Sequence, residues 1–517
     1  MSSAARSLNY LVSGLPPVAA TVSVTDISTN SATVERGGLF LACAGVRQHG
    51  SVGAREAIAR GARAILWETL SKVDETEIVA KKLQEATLGT SVFHAPVSNL
   101  SFRASHIADK FFASPSAALR IAGITGTNGK TTTAWLLAQA LQMLGERCAY
   151  SGTLGVGFIP NKVTPQNYTT ADAVTVQRQL ASVREAGASC VAMEVSSHAL
   201  SQQRVAGVRF SVAAFSNLSR EHLDYHGTLK AYGETKASLF SMPELQSRVI
   251  NIDDAFGAQL ALQYCSLGKL IVICRTVAGR AIASQCIAQG SDVTVLEAHN
   301  IRISSVGLSF QLRSSWGNAL LELPLVGEFN VDNALLALGV MQALGVSSVS
   351  ASHAISAALA PPGRMEALRV PGRALTIIDY AHTPDALEKS LRAARTHCGG
   401  RLHVVFGCGG DRDQGKRSLM AQVAAQFADE IMITDDNPRT ESPADIISQI
   451  IAGLPSGRSA SIENDRESAI SQVLSTALPD DTVLIAGKGH ERYQIIGTEH
   501  IPYSDQDVVR KFFFGVH

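Results

Sequence analysis

Along this chain, short runs of consecutive apolar residues alternate with longer segments whose apolar positions recur three and four apart. The runs at 119–124, 190–193, 212–215, 375–380, 402–406, 431–434 and 483–485 predict buried strands. Residues 131–144, with Ala134, Leu137, Ala138 and Leu141 on one stripe, predict a helix. Strand and helix signals that alternate almost throughout predict an α/β fold on mainly parallel sheets. No charged residue falls between Asp332 and Arg364. Gly339, Gly345, the Ser347-Ser348 break, His353 and Pro361-Pro362 divide that stretch into two short helices rather than a membrane span.

A chain of 517 residues with 46% hydrophobic content has material for about three cores. The first segment, 1–99, carries strand patterns at 38–45 and 62–67 with a helix near 54–61 between them. A second unit, 100–361, carries a glycine-rich loop, and strand signals restart in a third, 362–517. The 45 basic and 45 acidic residues balance, so neither nucleic acid nor an anionic membrane is expected as a partner. Eight cysteines without a C-x-x-C pair, and an N-terminus without the apolar core of a secretory leader, point to buried thiols in a cytoplasmic protein.

The strongest chemical signal is Gly123-Ile-Thr-Gly-Thr-Asn-Gly-Lys-Thr-Thr-Thr133, between a predicted strand and a predicted helix. Gly126, Thr127, Asn128 and Gly129 allow successive N–H groups to turn onto phosphate oxygens, with Thr132 continuing into the helix. Lys130 can reach the terminal phosphates, and Thr131 can ligate magnesium. Ile124 stands where the first glycine of the usual phosphate-loop pattern belongs. A plain glycine-rich turn is the competing reading. Glu194, at the end of a strand, is placed to complete the magnesium site. His222 and His226 have the i, i+4 spacing of a zinc pair on a helix, or serve as structural hydrogen-bonding groups. In the third unit every apolar run ends in a glycine-rich or charged loop: 381–385, 407–413, 435–439 and 486–491. Ligands of open α/β sheets bind outside the carboxyl ends of the strands, so these four loops are expected to meet at one cleft.

Gly126-Thr-Asn-Gly-Lys-Thr131, Glu194-Val-Ser-Ser-His198, His222-Leu-Asp-Tyr-His226, Asn330-Val-Asp-Asn333, Asp379-Tyr-Ala-His-Thr-Pro-Asp385 and Asp436-Asn-Pro-Arg439 occur in the order seen in the Mur ligases, which this chain resembles from about residue 31 to 491. The resemblance implies three domains: a small N-terminal α/β domain for the UDP substrate, a central P-loop ATPase-like parallel-sheet domain, and a C-terminal Rossmann-like domain for the amino acid. It implies an ATP-dependent amide ligase of peptidoglycan precursor synthesis, working through an acyl phosphate. The Asp436-to-Arg439 set matches members that add meso-2,6-diaminopimelate to UDP-N-acetylmuramoyl-L-Ala-D-Glu. By the same resemblance, ATP is the nucleotide, and a monomer without membrane insertion is the expected form. Two magnesium ions are implied, one on Thr131 and Glu194, the other on His222 and a carbamylated Lys236; the alternative for Lys236 is an exposed helix lysine.

Further residue roles follow from the resemblance. Asn330, Asn333, Arg364, Asp379 and His382 would serve ATP, although each asparagine could equally cap a helix. Ser31, with the segment near Arg47, would contact the uridine; Asn30-Ser-Ala32 stands where the family commonly has Asp-Ser-Arg. Thr169, Thr170, Ser196, Gln202 and Arg204 would hold the muramoyl dipeptide. Arg412, Asp436, Asn437, Pro438, Arg439, Gly487 and Glu491 would hold diaminopimelate, with Arg439 on its extra carboxylate. The competing functions are another ligase of the Mur or folylpolyglutamate type, which lacks Asp-Asn-Pro-Arg, and a nucleotide switch without ligation.

Overall fold

The computed structural model describes residues 5–45, 48–160, 162–166 and 168–515. The chain forms two compact units, one of Met1–Lys130, Gly145–Ile271 and Gln285–Val293, the other of Thr131–Leu144, Val272–Ser284 and Thr294–His517.

The first unit begins with a four-stranded sheet, all parallel, in the order Ile27–Ser28, Leu39–Ala42, Ala64–Glu68, Phe93–Val97. Its two central strands are buried throughout, and because successive side chains point to opposite sides they feed a core on each face. Leu39, Leu41, Ala64 and Leu66 enter one core, and Phe40, Ala42, Ile65 and Trp67 enter the other. The helix Leu100–Phe111 packs Leu100, Ala104, Ile107, Ala108 and Phe111 into the first of these cores.

The same unit holds a second sheet. Arg120–Thr125 lies between Cys190–Glu194 and Val212–Phe215, parallel to both. Cys148–Gly152 extends the parallel set beyond Cys190–Glu194, and Ser247–Asn251 extends it beyond Val212–Phe215. Gly155–Phe158 and Lys162–Thr164 add antiparallel strands at one edge. The phosphate-loop strand is therefore central, and its carboxyl end opens beside Glu194 on one side and Ser216 on the other.

In the second unit the helix Lys130–Met143 is buried at Thr133, Ala134, Trp135, Leu136, Leu137, Ala138, Ala140 and Leu141. The single stripe expected from sequence is too narrow: this helix is covered nearly all round, as the interior helix of an α/β layer must be. Val293–Ser304, Gly307–Arg313 and Ala319–Leu323 form an antiparallel meander. The uncharged stretch resolves into helices Phe329–Ala343 and Ser348–Ala357. Among the described residues no helix is long and apolar enough to cross a membrane.

The last sheet runs Glu366–Leu368, Leu375–Asp379, Thr482–Ala486, Leu402–Phe406, Glu430–Ile433, Ser461–Ile462, parallel after its first strand. Ile377, Val404, Phe406 and Leu484 pack to one side, and Ile378, Val405, Val483 and Ile485 to the other. All four strand-end loops marked in the sequence leave the same edge of this sheet. All eight cysteines are free thiols.

Candidate active site

The glycine-rich loop is held from the neighbouring strand end. Thr127 N–H donates to Asn217 O at 2.8 Å, Asn128 N–H donates to Asn217 Oδ1 at 3.0 Å, and Ser216 Oγ donates to Asn128 O at 2.6 Å. Gly126 adopts φ +147°, and a Cβ there would lie 1.9 Å from Ser216 Oγ. No other residue type fits the turn. Lys130 Nζ donates to Gly126 O at 3.0 Å and to Thr127 O at 2.8 Å, so its ammonium lies over the loop.

A second lysine reaches the same carbonyl. Lys236, on the helix Leu229–Ala237, is 1% exposed, and its Nζ donates to Gly126 O at 2.7 Å and lies 4.4 Å from the Tyr232 ring centre. The exposed helix lysine considered from sequence is thus excluded: the side chain points into the unit. Burial, followed by the charge of Lys130, pushes its pKa well below the ordinary lysine value.

Glu194 is fully buried. Its carboxylate accepts from Tyr150 OH at 2.5 Å, Thr153 N–H at 2.9 Å and Thr153 Oγ at 3.2 Å. Tyr150 and Thr153 escaped the sequence reading, since nothing local marks a tyrosine inside a strand as a carboxylate partner. Thr153 Oγ also meets Thr169 Oγ at 3.1 Å, Thr170 Oγ donates to Glu194 O at 2.9 Å, and Ser196 N–H donates to Thr170 Oγ at 3.1 Å. Arg204 donates to Thr170 O at 2.9 Å and to Gln202 Oε1. Glu194, Thr169, Thr170, Ser196, Gln202 and Arg204 therefore form one connected wall. Ser31 lies elsewhere, donating to Glu56 Oε2 at 2.5 Å. Arg47 and Asn167 lie outside the described residues.

The histidine spacing needs correcting. His222 has φ +55° and precedes the four-residue helix Leu223–His226, so the two histidines do not share a helical face. Instead the His198 ring lies 4.9 Å from that of His222 and 5.7 Å from that of His226. Burial lowers the pKa of His198 and His226, and neighbouring imidazoles add to the effect. Among the described residues no group of three or more His, Cys, Asp or Glu is arranged to hold a metal ion.

In the second unit, Asn330 and Asn333 sit inside the first turns of Phe329–Ala343, and neither is its cap, which is Glu328. Asn330 Nδ2 donates to Val326 O at 2.7 Å, and Asn333 Nδ2 donates to Asn330 Oδ1 at 2.8 Å. Asp379 accepts from Met365 N–H and Ser390 Oγ at 2.9 and 2.7 Å. Arg364 lies 4.8 Å over the Tyr380 ring, and its buried Nε has no partner among the described residues. His382 is exposed, its Nδ1 2.8 Å from Tyr380 O.

The four strand-end loops do meet. Arg439 has φ +53°; its N–H donates to Ile495 O at 3.0 Å, and its guanidinium donates to Gly410 O at 2.8 Å. Gly410 is packed against Pro438 O, and a Cβ on Gly487 would lie 2.6 Å from the Asp436 carboxylate. Asn437 Nδ2 donates to Glu491 Oε2 at 3.0 Å. Lys416 Nζ donates to His382 O at 2.9 Å, which ties in the first loop. Arg412 is exposed. Two buried cations were missed from sequence. Arg417 donates to Glu441, Gln449 and Gly409 O, and Lys488 stands under Asn437 and Glu491.

Three family profiles match in series: residues 23–111 (Mur ligase family, catalytic domain), 124–341 (Mur ligase middle domain) and 363–489 (Mur ligase, glutamate ligase domain). The chain belongs to the Mur ligase family. Family members called UDP-N-acetylmuramoyl-L-alanyl-D-glutamate–2,6-diaminopimelate ligase are similar over nearly their whole length. The one from Ectopseudomonas mendocina is 43% identical over 95% of both chains. That from Pseudomonas aeruginosa is 41% identical over 96% of both. A solved Mur ligase structure of the same name superposes with TM-score 0.67 at 33% identity, covering 99% of each chain. The D-alanyl-D-alanyl ligase structure from Acinetobacter baumannii, at 17% identity and TM-score 0.61 over 94% of this chain and 96% of that one, shares the fold. The chain is thus an α/β Mur ligase, an ATP-dependent ligase by family.

Proposed function

We propose that this protein joins meso-2,6-diaminopimelate to the D-glutamyl carboxylate of UDP-N-acetylmuramoyl-L-Ala-D-Glu, converting ATP to ADP and phosphate. A carboxylate acylates an amine at neutral pH only once activated, and phosphorylation to an acyl phosphate activates it. The observation that carries the choice of amino acid is the Asp436-to-Arg439 loop, pinned by Gly410 and Ile495 with Arg439 in a left-handed conformation. A guanidinium recognises a carboxylate bidentately, and diaminopimelate differs from lysine by a second carboxylate. Relatives 41–43% identical carry the matching name.

In this reading residues Gly126 to Thr132 receive the phosphates, and Lys130 neutralises charge on the phosphoryl group that moves. Asn330, Asn333, Arg364, Asp379 and His382 are assigned to the nucleotide. The buried Nε of Arg364, without a partner among the described residues, suits an anion. Thr169, Thr170, Ser196, Gln202 and Arg204 are assigned to the nucleotide-sugar peptide, and Ser31 to its uridine. Magnesium, which when bound screens the crowded phosphates, is assigned to Thr131 and Glu194 and to His222 with a carbamylated Lys236. Lys236 fits that assignment because only a neutral amine adds carbon dioxide, and this amine is buried beside a second cation. The three-part division at about residues 99 and 361, a monomeric state and a cytoplasmic location complete the proposal.

Purified protein given the UDP-linked dipeptide, ATP, magnesium and a panel of amino acids tests the assignment by product mass. A diaminopimelate adduct with matched phosphate release is expected. An adduct with D-Ala-D-Ala or L-lysine instead, or phosphate release without an amino acid, refutes it.

A further inference from the structure

Lys488 is the odd member of the C-terminal loop cluster. It follows the strand Thr482–Ala486 between two glycines, yet its side chain is 0% exposed. Arg466, itself fully buried and paired with Asp505, donates to Ala486 O at 2.9 Å and fixes the point where the chain turns inward. The ammonium of Lys488 donates to Asn437 Oδ1 at 3.0 Å and to Glu491 Oε2 at 3.2 Å. Asn437 closes a triangle by donating from Nδ2 to the same Glu491 oxygen at 3.0 Å, while its Oδ1 also accepts the Ile495 N–H at 2.9 Å. Both groups joined by Lys488 belong to the set assigned above to the incoming amino acid.

The consequence is orientational. Glu491 Oε2 is turned inward by two donors, so the carboxylate presents Oε1 in one direction, and its charge is partly balanced before any ligand arrives. A buried ammonium with two fixed acceptors does not swing away as a surface lysine does. Supporting groups of this kind set how sharply a binding site discriminates, because a carboxylate free to rotate greets any ammonium. We propose that Lys488 is a positioning residue for amino-acid selection: it locks Glu491 and Asn437 so that the pocket favours a substrate bearing an ammonium and a carboxylate on one carbon at its far end. The inference rests on the reading of this cluster as the amino-acid site.

Steady-state kinetics on Lys488→Met, Glu491→Gln and the double variant test it, with diaminopimelate and L-lysine compared for each protein. Lys488→Met is expected to lower kcat/KM for diaminopimelate about thirtyfold or more, chiefly through KM, as for loss of a buried charge-assisted contact. The KM values for ATP and for the nucleotide-sugar peptide are expected to stay within about twofold, a split that general damage to the fold does not produce. The diaminopimelate-to-lysine preference is expected to fall in parallel, and the double variant to lose little more than either single one, because both act through one carboxylate. Equal loss for all three substrates, an unchanged preference, or additive losses overturn the proposal. Should Lys488→Met fail to fold, Glu491→Gln alone decides: an unchanged KM for diaminopimelate overturns it. Wild-type protein that adds no diaminopimelate refutes the functional reading itself. Wild-type activity beside an unaffected Lys488→Met variant refutes only the role of Lys488.

Discussion

A single methyl group at Gly126 tests whether the loop path drives nucleotide binding. Alanine there would place Cβ 1.9 Å from Ser216 Oγ and 3.1 Å from Asn217 N, at φ +147°. Ser216 has little room to yield, because it donates to Asn128 O at 2.6 Å. The unfavourable backbone region costs about 1–3 kcal/mol, and loss of the Ser216 bond about 0.5–1.5 kcal/mol. Together they predict about 2–4 kcal/mol against the binding-competent loop, or roughly 30- to 1000-fold weaker ATP binding. The effect is amplified because Gly126 O accepts both Lys130 and Lys236. Calorimetric titration with ATP measures the affinity, and urea unfolding checks that the fold survives. Ser216→Ala removes the offending atom and leaves only contacts near 3.1 Å. The double variant keeps the backbone strain and loses the same Ser216 bond only once, so it is expected to bind ATP no more weakly than Gly126→Ala alone. Wild-type affinity in Gly126→Ala, or a Ser216→Ala loss that simply adds to it, would refute the argument.

Lys236→Ala is expected to lose most activity, and small carboxylates or bicarbonate should restore part of it by entering the space the truncated side chain leaves; an active variant without them removes Lys236 from the metal site. Arg439→Ala is expected to reduce kcat/KM for diaminopimelate roughly tenfold to a thousandfold, without a parallel loss for L-lysine; an unchanged preference between the two contradicts the pocket. Burial, aided by Arg364, pushes the His490 pKa down to about 4. The unfolded imidazole takes its proton near pH 6.5 and the folded one resists, so this contribution is present above that pH and is lost as pH falls toward 4. Urea midpoints at pH 7 and pH 5 should therefore differ less in His490→Gln than in the wild type, and equal differences would sink the assignment.

The alternation of apolar runs with helical periodicity carried the α/β class, because strand burial on two faces and helix burial on one write themselves into consecutive residues. The glycine-rich loop after residues 119–124 was legible for the same reason: tight turns and helix starts are local. The meeting of the loops after Leu375–Asp379, Leu402–Phe406, Glu430–Ile433 and Thr482–Ala486 followed from one rule, that parallel strands put their carboxyl ends on one edge. Local pattern could not place side chains whose partners are remote. Lys236 meets a carbonyl 110 positions earlier, and Lys488 an amide 51 positions away. Each reads in sequence as an ordinary cation, and each became a buried, bonded one only when the chain closed over it. His222 shows the converse, for its spacing from His226 suggested a helical pair while a left-handed residue put it outside the helix. The sequence by itself determined which elements form and what chemistry their ends can offer. Only the tertiary structure decided which charges are withdrawn from water, because desolvation depends on everything packed around a group and not on its neighbours along the chain.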